Sequence, residues 1–284
     1  MIRVSPKRRA RVVGSVVTLA MGLIFGCKIV ELDCVNPCDS NCGFPEPETT
    51  IDSGPANDST FTTHTVTFSW HGSNEDVKSY AYSLSESAWS DTTITTDTTV
   101  TFENLAEGRH RFEIRAQYCP DVEGPPVSRE FVIDAVRGPA LRLNQRNFSV
   151  VVGDTFVAIV VLEEVDSLKG VLAEIGYSPD TLTYVRGEIY KDHRSILMET
   201  AGGQVISKFT PNSAAGTVKM EAATATGDPP HVTGTGPIGQ ITFRAVQAGI
   251  TRLRFLESTE LRNAENESIE IVEKVQSIIE ISPQ

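Results

Sequence analysis

The sequence is poor in side chains that do chemistry. It holds five histidines in 284 residues, and these (His64, His71, His110, His193 and His231) are scattered along the chain. None falls in an H-E-x-x-H pattern and no G-x-S-x-G elbow occurs, so the zinc-protease and serine-hydrolase frameworks are excluded. His193 lies in "KDHRS" with no elbow serine beside it. His110 alternates with inward residues on a predicted strand, which puts it on the surface. No D-x-D-x-D-G calcium loop is present. Glu163, Glu164 and Asp166 cluster in "LEEVDS", where a solvated acidic turn is a simpler account than a calcium site. No enzyme constellation and no cofactor are implied. Runs with helical spacing are also hard to find. Threonine, valine and isoleucine dominate, which points to an all-β chain.

Basic charge is the next shortage: 25 lysines and arginines stand against 37 acids, a formal net charge of -12. Five of the basic residues (Arg3, Lys7, Arg8, Arg9 and Arg11) precede a mostly apolar run from Val12 to Gly26. That is the layout of an export signal over residues 1–26, too short and too one-sided for a transmembrane helix. The segment has five basic and no acidic residues, so its removal takes the net charge from -12 to -17. Such a chain repels nucleic acid and anionic lipid, and both are excluded as partners.

"LIFGC", ending at Cys27, resembles the lipobox of bacterial lipoproteins, although Phe25 stands where a small residue is usual. The resemblance implies that Cys27 becomes an acylated N-terminus, the chain's one link to a membrane. A plain signal peptide or an uncleaved anchor remain as alternatives. All three place the chain outside the cytoplasm, either anchored at the cell envelope or secreted. With Cys27 lipidated, Cys34, Cys38, Cys42 and Cys119 form an even set in an oxidising compartment, which points to two disulfides with three possible pairings. The rival is zinc. The C-x3-C-x3-C spacing lacks the two-residue knuckles and nearby histidine of structural zinc sites, so disulfides are expected and no metal.

Residues 27–48 are rich in cysteine and proline without periodicity and read as a tether. From 49 to 134 short strands recur: "HTVTFSW", "SYAYSLS", "TTVTFENL", "RHRFEIRAQY" and "VSREFVID". The threonine run "TTITTDTTVT" reads as an exposed strand pair. Five or more strands with turns at "HGSNED" and "LAEG" argue a β-sandwich. "LAEGRHRFEIRA" with Trp70 on an early strand resembles fibronectin type III and related bacterial Ig-like modules. Phe112 stands where a tyrosine is usual, so no corner hydrogen bond is expected from it. The resemblance implies a spacer or interaction module.

After a linker at 135–139, residues 140–284 show a second set of alternating segments, read as a larger sandwich of eight or nine strands. The stretch "GTGPIGQITFRAVQAGITRLRF" reads as two half-buried strands around a turn. In order, "VVVGDTFVAIVVL", "IGYSPDTLTYV" (Ser178-Pro179 in place of the family's aspartate-proline) and "TGTGPIGQITFRAVQAGITRLRF" resemble the cohesin domain. That resemblance implies a jelly-roll sandwich of the carbohydrate-binding-module superfamily that docks a protein partner of the dockerin type, the calcium belonging to the dockerin. Polysaccharide binding is the first alternative. It needs planar rings on one face, yet the second domain has no tryptophan, Tyr177 and Tyr184 read as core or strand end, and only Tyr190 reads as exposed. A structural envelope protein is the second. The partner-binding face is not legible at this level.

Overall fold

The computed structural model describes residues 35–39, 42–85, 92–190, 195–196, 204–226 and 231–284. The export signal, Cys27, Cys34 and His193 lie outside the described residues. Those described form strands and turns, and the fold is all-β in two consecutive sandwiches.

The first contains β1 (Thr49–Ser53), β2 (Ser59–Phe61), β3 (Val66–Gly72), β4 (Ser79–Ser85), β5 (Thr93–Thr95), β6 (Thr99–Phe102), β7 (Gly108–Cys119), β8 (Val122–Glu123) and β9 (Val127–Ile133). A three-stranded sheet, β1-β3-β6, faces a larger one, β2-β9-β7-β4-β5, with β8 beside β7. Period-2 alternation sends Val66, Phe68 and Trp70 of β3 and Phe112, Ile114 and Ala116 of β7 into one shared core. The threonine run does not form a strand pair. β5 joins β4 and β6 joins β3, so the run crosses between the sheets at Asp97. Alternation reports which face of a strand is buried, and it carries no information about the neighbour.

His110 is corrected too: it is 2% exposed, stacked on Phe131 at 5.5 Å. Its Nε2 lies 2.7 Å from the carbonyl oxygen of Ala106, four residues upstream. The bond ties the start of β7 to the preceding turn. Nδ1 is buried without a partner, so Nε2 carries the proton and donates it. Glu113 lies on the outer side of β7 but is also buried, clasped by Arg111 and Arg115 at 3.2 and 3.3 Å.

Cys38 is disulfide-bonded to Cys119 at the end of β7, a sequence separation of 81 residues, and Cys42 is disulfide-bonded as well. The Cys38–Cys119 bond ties the segment before β1 onto the first sandwich. Closing so long a loop restricts the unfolded chain, and loss of the bond in Cys119→Ser is expected to cost about 2–4 kcal/mol. Urea unfolding of the oxidised protein measures it. An unchanged midpoint would show that the bond constrains nothing in the unfolded state.

The second sandwich contains β10 (Ala140–Leu143), β11 (Asn147–Val151), β12 (Thr155–Gly176), β13 (Leu182–Ile189), β14 (Val205–Asn212), β15 (Thr217–Thr224), β16 (Val232–Ala245), β17 (Gly249–Phe255), β18 (Glu260–Asn263), β19 (Ser268–Ile269), β20 (Glu273–Lys274) and β21 (Ser277–Ser282). These are twelve segments rather than eight or nine, because the weakly alternating stretch after Phe255 adds three short strands.

β12 organises both layers. Its first half lies between β10 and β16, and its second half between β15 and β18. Register breaks from Leu162 to Leu168, with positive φ at Glu164 and Ser167, turn the strand from one layer into the other. Between the layers lie Ala158, Val160, Leu168, Ala173, Met220, Ile241, Phe243, Leu253 and Leu261, all 0% exposed.

β16 and β17 do flank a turn, but they are not partners. β16 pairs with β12 and β13, and β17 with β21 and the end of β12. The turn at Val246–Ala248 is thus a crossing between layers. It needs no reactive side chain because its work is to carry the chain between separate pairings within one continuous twelve-stranded sheet.

Candidate functional site

The predicted reactive residues are not brought together. Among the described residues no group of three or more histidine, cysteine or acidic side chains could hold a metal ion. His71 is exposed and pairs with Asp52 at 2.7 Å, His64 lies where the two sandwiches meet, and His231 is half-buried just before β16. The acids of "LEEVDS" diverge. Glu163 pairs with Arg142, Glu164 accepts from the Gly138 amide at 2.9 Å, and Asp166 accepts from the Thr233 hydroxyl at 2.9 Å. Tyr177 is buried with its ring 5.2 Å from Phe243, Tyr184 packs against the core, and Tyr190 is half-buried. The described residues therefore supply no aromatic strip.

The strongest candidate is a sheet face. β14, β15, the second half of β12, and β18 lie side by side in that order. Their inward positions, including Ala222, Val171 and Leu261, are buried in the core. Their outward positions form rows across the strands. One row is Ile206–Ala223–Gly170–Arg262 and the next is Lys208–Glu221–Leu172–Glu260. In the following row Lys219 stands 3.7 Å from Glu174, which also accepts a hydrogen bond from Ser258.

The first row has almost no side chain at its centre. Gly170 and Ala223 leave a depression between Ile206 and Arg262, and it opens into a groove of about 620 Å³. Ile206 is 66% exposed on its rim, and Arg262 is held on the other side by Glu260 at 2.8 Å. The fold does not require glycine at residue 170. A Cβ there would meet its nearest neighbours, Ala222 O, Ala223 Cβ and Arg262 Cβ, at 3.8–4.0 Å, which is ordinary contact, and Gly170 is not among the positive-φ residues. By contrast, Gly216 has φ +63° and sits hard against the Tyr177 carbonyl, so the backbone itself demands it. Gly170 costs the strand some stability and leaves the groove open.

Sequence reasoning missed this face because its residues come from four segments spread over 92 positions, Gly170 with Ile206, Ala223 and Arg262. The one local signal was small residues ("KGVLAE", "EAATATG") on the outward positions of otherwise well-formed strands.

No family model matches the chain, and no curated protein matches it. Solved structures do. A type I cohesin–dockerin complex from Clostridium thermocellum is similar at 12% identity and TM-score 0.42, over 51% of this chain and 94% of that one. The second of the type II cohesin modules of an adaptor scaffoldin from Acetivibrio cellulolyticus is similar at 15% identity and TM-score 0.41, over 49% of this chain and 86% of that one. A non-cellulosomal cohesin from the archaeon Archaeoglobus fulgidus is similar at 12% identity and TM-score 0.38, over 50% and 91%.

Proposed function

We propose that the C-terminal sandwich is a cohesin-like module that docks a dockerin-type protein on the outer face of β14, β15, β12 and β18. The N-terminal sandwich then serves as a fibronectin-III-like spacer, and the chain works without catalysis at the cell surface. One observation carries the docking reading. The face has an open groove at its centre, kept open by a glycine that the fold does not need. The ordered cohesin-like landmarks of the sequence support it. So does the mixed charge of the rim, where Lys169, Lys208, Arg262, Glu221 and Glu260 surround small and aliphatic centres, the composition of a non-obligate protein interface. Neighbouring strands lie about 4.8 Å apart, so such a face is broad enough to supply one side of an interface that buries roughly 1,600 Å² in total. The spacer reading is supported by the packing of a three-stranded sheet on a six-stranded one and by the bond from His110 to the preceding turn.

The test is capture from the secretome of the source organism with and without a calcium chelator, beside a panel of insoluble polysaccharides. Capture of a protein that is lost on chelation, while this chain stays folded, is the expected result, because a dockerin needs its calcium to fold. Retention on cellulose or chitin with no protein captured would overturn it.

Anchoring belongs to the same proposal and rests on the basic n-region, the apolar run and Gly26-Cys27. A diacylglyceryl group supplies two acyl chains, enough for stable anchoring. Cells fed an azido fatty acid are expected to label the wild-type protein and not Cys27→Ala. Equal label on both would sink the anchor and leave the docking face untouched.

A further inference from the structure

The two sandwiches meet at a small polar junction that includes one histidine facing an arginine. His64, between β2 and β3, reaches across to Arg146, between β10 and β11. Its Nε2 lies 3.0 Å from the Arg146 Nη1, and its Nδ1 lies 2.8 Å from the Leu105 carbonyl oxygen. A guanidinium only donates and a carbonyl only accepts. The geometry therefore admits one state of the ring: Nδ1 carries the proton and donates it to Leu105, and bare Nε2 accepts from Arg146. A second proton would set an N–H against an N–H and a cation against a cation.

We propose that this contact is an acid-released clasp, which fixes the angle between the spacer and the docking sandwich at neutral pH and frees it when His64 is protonated.

The surroundings bear this out from each packed element. Arg146 and Arg142 face the ring from the second sandwich and oppose its protonation. Glu273 of β20 and Glu107, 3.5 Å from Nδ1, favour it. Glu107 is already engaged, and Glu273 is exposed to solvent. Glu107 accepts hydrogen bonds from the linker amides of Ala135 and Val136 at 2.9 and 3.2 Å. Burial, with Arg146 next, holds the His64 pKa below its usual 6.5. Among the described residues the other direct polar bridge between the two sandwiches, Asn147 Nδ2 to the Asn104 carbonyl at 3.3 Å, does not titrate and is long. The sign follows. The released junction binds a proton near pH 6.5 and the clasped one only below it, so the clasp is complete above pH 6.5 and weakens as the pH falls. Over the window in which only the released state holds the proton, the opening equilibrium rises by up to about tenfold per pH unit.

The test uses the full chain with dyes on non-natural residues at exposed Ile94 and Ile250, read by single-molecule energy transfer at pH 7.5 and 5.5. Wild type is expected to change from one narrow population to a broad or second one. His64→Gln accepts from Arg146 without titrating and is expected to stay narrow at both values. Arg146→Ala removes the donor and is expected to be broad at both. A wild-type distribution that stays narrow at pH 5.5 overturns the proposal. So does His64→Gln broadening like wild type, which would assign the change to Glu107 or another acid. Thermal melts of each variant separate release from unfolding.

Discussion

Phe112→Ala is expected to cost the first sandwich about 4–5 kcal/mol, at the upper end for loss of a buried phenylalanine. The ring is 0% exposed and forms the hub of an aromatic cluster. It stacks on Phe68 at 4.0 Å with 18° between planes, and it lies 6.0 Å from Trp70, 5.9 Å from Phe102 and 6.1 Å from Tyr82. Its removal takes away burial, opens a cavity among rigid rings that cannot collapse into it, and breaks several aromatic pairs worth about 0.5–1.5 kcal/mol each. Both tryptophans precede residue 140, while Tyr177, Tyr184 and Tyr190 follow it, so fluorescence excited selectively at tryptophan reports this part of the chain alone. Guanidinium unfolding followed by that signal should show an earlier transition, while the second sandwich keeps its own. A loss under about 1 kcal/mol would mean that the core repacks around the gap and that the cluster is not the stabilising centre described here.

The same ring shows what the sequence could and could not disclose. Its inward position followed from the alternation Phe112, Ile114, Ala116, and the other long alternating strands were legible for the same reason. Period 2 is imposed locally by the backbone. His110 sits on that inward parity as well, two residues earlier. Its expected place on the surface took it as alternating with the inward residues, whereas it shares their parity, and the turn at "LAEG" provides a carbonyl that satisfies it. Pairing was the weak point throughout. The threonine run, the β16–β17 turn and the switch within β12 all join strands that belong to different layers, and nothing in a strand's own residues names its neighbour. The cysteines behave likewise: four candidates allowed three pairings, and only the folded chain brings Cys38 beside Cys119. The docking face was least legible of all, because a groove is a relation between distant strands.

That groove carries the last prediction. Gly170→Val is expected to leave the fold intact and to weaken partner binding by about 100-fold, or roughly 2.7 kcal/mol. Intactness follows from the space around residue 170. A Cβ meets ordinary contacts only, and the outward position has no core neighbour to displace. Valine also suits a strand better than glycine, so stability should hold or rise by about 0.5–1 kcal/mol. Binding falls because the branched side chain fills the depression between Ala223 and Arg262, and a partner group that entered it must then sit higher, parting contacts along the row. The control is Thr242→Val on β16, which faces outward on the opposite layer beside Val157. It makes the same kind of surface change and should leave binding as it was. Titration of the captured partner against the three proteins, with a thermal melt of each, decides the matter. Full affinity in Gly170→Val would remove the groove from the docking surface. Equal losses in Gly170→Val and Thr242→Val would show that binding does not choose between the two faces.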